Sequence, residues 1–118
     1  MLKQKTAPSA PEDVARLCRA LSVETRVRML ALLQRRSMCV GALARALGIT
    51  DAAVSQHLRV LRDAELVIAE RRGHFVHYTI DPDTVDRWQH AVVGLLSIGD
   101  EHTPANADCE MTRRGGER

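Results

Sequence analysis

A chain of 118 residues, 45% apolar and 27% charged, has the length of one domain with a modest core and is too short for two. One Trp, one Tyr and one Phe leave that core mainly aliphatic, which favours helices. No apolar run approaches the roughly 20 residues needed to cross a bilayer, and the opening MLKQKTAPSA lacks the apolar centre of a secretory signal, so a cytoplasmic protein without membrane contact is expected. No nucleophile stands with a base and no glycine-rich loop cradles a phosphate, which argues against an enzyme.

Residues 1–10 are polar and aperiodic and read as a flexible arm, with order expected from Pro11. Pro11, Glu12 and Asp13 suit a first helical turn, and Val14, Leu17, Cys18 and Leu21 then repeat at helical spacing. Ser22 is placed to cap a second helix, with Val27, Leu30 and Leu33 inward and Arg26, Arg28 and Arg35 outward.

The most informative stretch is VGALARALGITDAAVSQHLR, from Val40 to Arg59. It reads as two short helices joined by a tight turn, predicted over Ser37–Leu47 and Thr50–Ala64. Leu43, Leu47, Ile49, Val54 and Leu58 bury the facing sides, Ala44 is small where the axes approach, Gly48 suits a left-handed C-cap and Thr50 an N-cap. Such a unit enters the DNA major groove in many small regulators. The formal charge of +2 says little, but its distribution says more: Gln34–Tyr78 carries seven arginines against four acids, and the rest is slightly acidic.

Leu66–Glu70 and Phe75–Ile80 are short and rich in β-forming residues, separated by a turn built on Arg71, Arg72 and Gly73. A hairpin with a basic tip directly after a recognition helix is a wing, and its arginines can reach phosphates or the minor groove. Asp81 and Pro82 then start a helix whose apolar face comprises Val85, Trp88, Val92, Leu95 and Leu96, ending near Gly99. So small a domain cannot cover that face alone, so it and the first helix are expected to pack on a second subunit. Residues 100–118 turn polar and read as a flexible tail, leaving 11–99 as the binding and dimerisation domain.

In this order of elements the chain resembles the ArsR/SmtB family of bacterial winged-helix repressors. The resemblance rests on LSVETRVRMLALL (Leu21–Leu33), CVGALARALGITDAAVSQHLRVLRDAELV (Cys39–Val67) and GHFVHYTI (Gly73–Ile80), with Ser55–Leu58 and Leu61 especially typical. It implies a mainly α fold of about five helices plus a two-stranded wing. It also implies a homodimer that occupies an inverted-repeat operator on double-stranded DNA and leaves it when an inducer, often a metal or metalloid ion, binds. Three departures stand out. Glu65 stands where relatives have a glycine after the recognition helix, a left-handed position that costs a residue with a Cβ about 1 kcal/mol or more, unless the helix ends differently. The arsenite-sensing branch has Cys-Val-Cys where this chain has Cys39-Val40-Gly41. The zinc-sensing branch has acids and histidines where this chain has Pro82, Thr84, Leu95 and Ile98, so that site is not expected.

On the recognition helix the candidate DNA contacts are Thr50, Ala52, Ser55, Gln56, His57 and Arg59, with Arg62, Arg71 and Arg72 on the backbone; of these His57 flanks the buried face and is read as a structural hydrogen-bonder rather than a base reader. Gln56 suits bidentate recognition of adenine. For the inducer, thiolates select soft ions such as As(III) or Sb(III), and Cys39 and Cys109 are favoured ligands over Cys18. Against this stands a structural role for Cys18 and Cys39 as small buried residues. The histidines form no spaced ligand set. Two rivals stay open: a winged-helix regulator without a metal inducer, redox-responsive or ligand-independent, and a winged-helix protein-interaction module.

Overall fold

The computed structural model describes residues 10–97, so the predicted arm and tail lie essentially outside the described residues. Among these, helices α1 (Pro11–Ala20) and α2 (Glu24–Leu33) precede a short strand β1 (Met38–Cys39). Helices α3 (Val40–Leu47) and α4 (Asp51–Asp63), strands β2 (Val67–Arg72) and β3 (Phe75–Ile80), and helix α5 (Pro82–Leu96) follow. The strands form one antiparallel sheet in the order β1-β3-β2. This is a winged helix-turn-helix.

The two-stranded wing, β2 and β3, is joined by a third strand, β1, that the pattern did not predict, and the third helix is shorter than predicted. Met38 and Cys39 leave the predicted helix and pair with Tyr78 and His77. Burial explains the difference: Met38 is in the core, and a two-residue strand earns its place through a partner about 40 positions on, which no local periodicity records. The hairpin also extends further than expected. Arg71 and Arg72 belong to β2, and the turn is Gly73-His74, where Gly73 takes φ 63° as a two-residue hairpin with glycine first requires.

The core gathers Val14, Leu17 and Ala20 from α1, Met29 and Leu33 from α2, Leu43 and Ala44 from α3, Val54, Leu58 and Leu61 from α4, and Leu66, Val67 and Trp88. In α2 the buried residues are Met29, completely so, and Leu33, which the pattern had inward, while Val27 is turned to solvent and Leu30 is half-buried. Nor does Arg26 face freely outward: its Nε donates to the Ala20 carbonyl at 2.7 Å, satisfying an end group of α1 with a cation at the favourable pole of the helix. Ser22 does not cap α2, whose N-cap is Val23 with no side-chain bond; the Ser22 hydroxyl instead donates to the Arg19 carbonyl at 2.8 Å. Cys18 lies exposed beside the buried stripe of α1 rather than in it.

Both helices of the central pair end on a left-handed residue, Gly48 at φ 69° and Glu65 at φ 62°. In each the next amide donates to the carbonyl five residues back, Ile49 to Ala44 at 3.1 Å and Leu66 to Leu61 at 2.9 Å. The cap at Glu65 therefore forms despite its Cβ, and it delivers Leu66 and Val67 into the core. At the other end of the sheet Asp81, buried, accepts from the Asp83 amide and the Thr84 hydroxyl and starts α5. Trp88 anchors α5 to the core, but Val93, Leu95 and Leu96 are 57%, 59% and 75% exposed.

Candidate nucleic-acid interface and thiol cleft

α4 is held by Val54, Leu58 and Leu61, three buried residues at helical spacing. Its N-terminus is fixed by Thr50, whose Oγ1 accepts from the Ala53 amide at 3.1 Å. This leaves Ala52, Ser55, Gln56, Arg59 and Arg62 exposed along one side. Together with Asp63 and Tyr78 they line a concave groove of about 680 Å³. Five sequence-predicted residues are thus brought together. Thr50 lies outside the groove lining and serves the cap, and half-buried His57 also lies outside it.

Tyr78 and Asp63 are groove residues that the sequence reading missed. Strand alternation puts Tyr78 opposite Met38 and Ala69, on the sheet face opposite to that of His77, but only the observed pairing shows that this face turns toward α4. The same alternation separates the two wing arginines. Arg71, opposite Val76, shares the face of Tyr78; Arg72, opposite Phe75, shares the face of Glu70 and His77. Arg72 Nη2 lies 3.3 Å from Glu70 Oε1 in an exposed pair, which is worth well under about 1 kcal/mol.

A second concavity of about 680 Å³ lies where α3 begins beside the wing, lined by Cys39, Val40, Gly41, Arg45, Asp51 and His74–His77. Cys39 is half-buried and is the N-cap residue of α3. Cys18 is on α1, and Cys109 lies outside the described residues. Among the described residues no three or more of His, Cys, Asp and Glu gather as a metal cluster, so three sulfurs for arsenite are not assembled there. His77, which lines the cleft, has a buried Nδ1 with no hydrogen-bond partner.

The model of the bacterial regulatory protein arsR family matches residues 24–69, from α2 into β2. A transcriptional repressor of Synechocystis, described as an SmtB homolog, is 36% identical over 89 residues, covering 75% of this chain and 67% of that protein. The chain belongs to the arsR family. An arsenic resistance transcriptional regulator of Pseudomonas putida is 34% identical over 85 residues, covering 70% of this chain and 66% of its own length. The solution structure of a homodimeric winged helix-turn-helix DNA-binding domain from Mycobacterium bovis superposes with TM-score 0.62 at 29% identity, over 89% of this chain and 100% of that one. This arsR-family chain is therefore a DNA-binding transcriptional regulator and not an enzyme. No helix among its described residues is long and apolar enough to cross a membrane.

Proposed function

We propose that the chain is a cytoplasmic homodimeric repressor that holds an inverted-repeat operator with two copies of α4 and releases it when a thiophilic metal or metalloid ion binds. The observation that carries this reading is the groove, in which two side chains able to hydrogen-bond a base, Ser55 and Gln56, are flanked by Arg59 and Arg62 on a helix whose other side is locked in the core. Gln56 reads adenine, Ser55 bonds base or phosphate, and the two arginines hold the backbone. The exposed apolar end of α5, with α1 beside it, supplies the subunit contact. Residues 11–99 form the working domain, with 1–10 as arm and 100–118 as tail.

The inducer thiol is Cys39, with Cys109 and then Cys18 as further sulfur donors. Relatives described as arsenic and cadmium resistance regulators support an ion of this class. An ion bound at Cys39 acts where α3 starts, and a coupling of the usual size for two linked sites changes operator affinity roughly 5- to 150-fold. Electrophoretic mobility shifts on the duplex upstream of its own gene test the reading. Retention at low salt, steep loss as salt rises, and release by arsenite, cadmium or mercury are expected. Failure to bind any duplex at low salt overturns the DNA reading, and indifference to every thiophile overturns the induction.

A further inference from the structure

Cys39 and His77 are direct cross-strand partners in the antiparallel β1-β3 pair. Residues so placed point to the same face of the sheet with Cβ atoms about 4.5–5.5 Å apart. Both line the cleft at the start of α3. Nδ1 of His77 is buried with no hydrogen-bond partner, an arrangement that leaves a polar atom out of water without compensation unless another group reaches it.

The ligand chemistry follows from the donors. A thiolate and an imidazole are together suited to copper and zinc. Zinc demands four tetrahedral positions, or at least three protein ligands and a water, and no cluster of three donors exists among the described residues. A soft monovalent d10 cation is satisfied by two donors in line. With bonds similar in length to those zinc makes to sulfur and nitrogen, about 2.3 and 2.0 Å, it spans roughly 4.3 Å between them, a distance that cross-strand neighbours reach by side-chain rotation alone.

We propose that Cys39 Sγ and His77 Nδ1 form a two-donor site for a monovalent copper-type cation, a site that deepens the reading of Cys39 as the inducer thiol and rests on it. On binding, the thiol proton leaves to solvent as the sulfur–metal bond forms, and the lone pair of Nδ1 completes the coordination with its ring proton on Nε2. No electron is transferred. Because Cys39 is the N-cap of α3 and His77 is in the middle of β3, the cation ties the first helix of the DNA-reading pair to the root of the wing. That bond changes how α3 and the wing sit on one duplex.

The test uses the reduced full-length chain and Ag⁺, an air-stable stand-in for Cu⁺. In a Cys18→Ser, Cys109→Ser double variant, whose one thiol is Cys39, one equivalent is expected to bind per chain. In ¹⁵N spectra of the wild-type chain, the Nδ1 signal of His77 moves on addition of Ag⁺ while those of His57, His74 and His90 do not. Further replacing Cys39 by Ser in the double variant removes that equivalent, and His77→Gln weakens it at least tenfold in competition with a chelator. Binding through Cys39 with the His77 signal unmoved overturns the two-donor site, and the wild-type spectrum gives that answer whether or not the His77 variant folds. An equivalent that survives Cys39→Ser in the double variant overturns both this site and Cys39 as inducer thiol. DNA release is read separately: a chain that binds Ag⁺ through both residues and keeps its operator retains the site and loses the inducer reading.

Discussion

The α4 groove and the Cys39 cleft have similar volumes, yet they are built in opposite ways. Most of the groove comes from one helix, whose exposed residues follow from the spacing of Val54, Leu58 and Leu61. The cleft needs β1, α3, the start of α4 and β3, and its key pair, Cys39 and His77, is 38 positions apart and meets only through strand register. A surface read from one helix survives local errors of interpretation. A surface made by pairing vanishes if one short strand is missed.

Replacing Met38 by Ala should have the largest effect and separate the two regions. Met38 is buried and pairs β1 to Tyr78, so the cavity left behind should cost about 2–5 kcal/mol in denaturant unfolding. If the regions are independent, hydrogen exchange should rise at β1 and the middle of β3 well before the amides of α4 lose protection. Equal loss in both would show that the groove also depends on the pairing.

Gln56→Ala acts on the groove alone. It should cost about 1–3 kcal/mol on the cognate operator and little on unrelated duplex, so that sequence preference narrows in a competition assay. A uniform loss on all sequences would assign Gln56 to the backbone.

The two left-handed caps make a smaller contrast. Gly48→Ala meets no atom within 4 Å, so its cost is conformational, about 1 kcal/mol, seen as a Tm lower by roughly 4–8 °C at fixed protein concentration. At the other cap, Glu65→Gly relieves the same kind of strain, and calorimetry should show no loss comparable to that of Gly48→Ala. A large loss there would mean that the Glu65 side chain matters more than its backbone.

The smallest effect expected lies between the wing arginines. Arg71→Ala should weaken all duplexes alike and reduce the salt slope by about 1, whereas Arg72→Ala, on the sheet face shared with Glu70, should change it less. Equal slopes would place both on the phosphates.

What the sequence revealed follows the same division. The left-handed turn at Gly48, the Thr50 and Asp81 caps, Pro82 at the start of α5 and the exposed face of α4 are all set by neighbours within one or two turns, and the structure has them where the pattern put them. Met29 in place of Val27 on the inner face of α2 was missed because ETRVRMLALL has apolar residues on several sides, and the choice among them falls to packing against α3 and α4. Ser22 and Arg26 were misread because the end of α1 recruits both. β1, Tyr78 in the groove and His77 beside Cys39 required the sheet. The Glu65 cap was visible as a conflict between residue type and backbone, and the structure resolves it in favour of the backbone.

The proposed function stands on two copies of α4 reading one duplex. The most direct measurement is the affinity of the full chain for duplexes carrying two inverted half-sites about 10 base pairs apart, against the same half-sites moved to about 15, at several salt concentrations. At least tenfold tighter binding is expected at one-turn spacing, with a steep fall of affinity with salt in both. Equal affinity at the two spacings, or binding indifferent to salt, would contradict it.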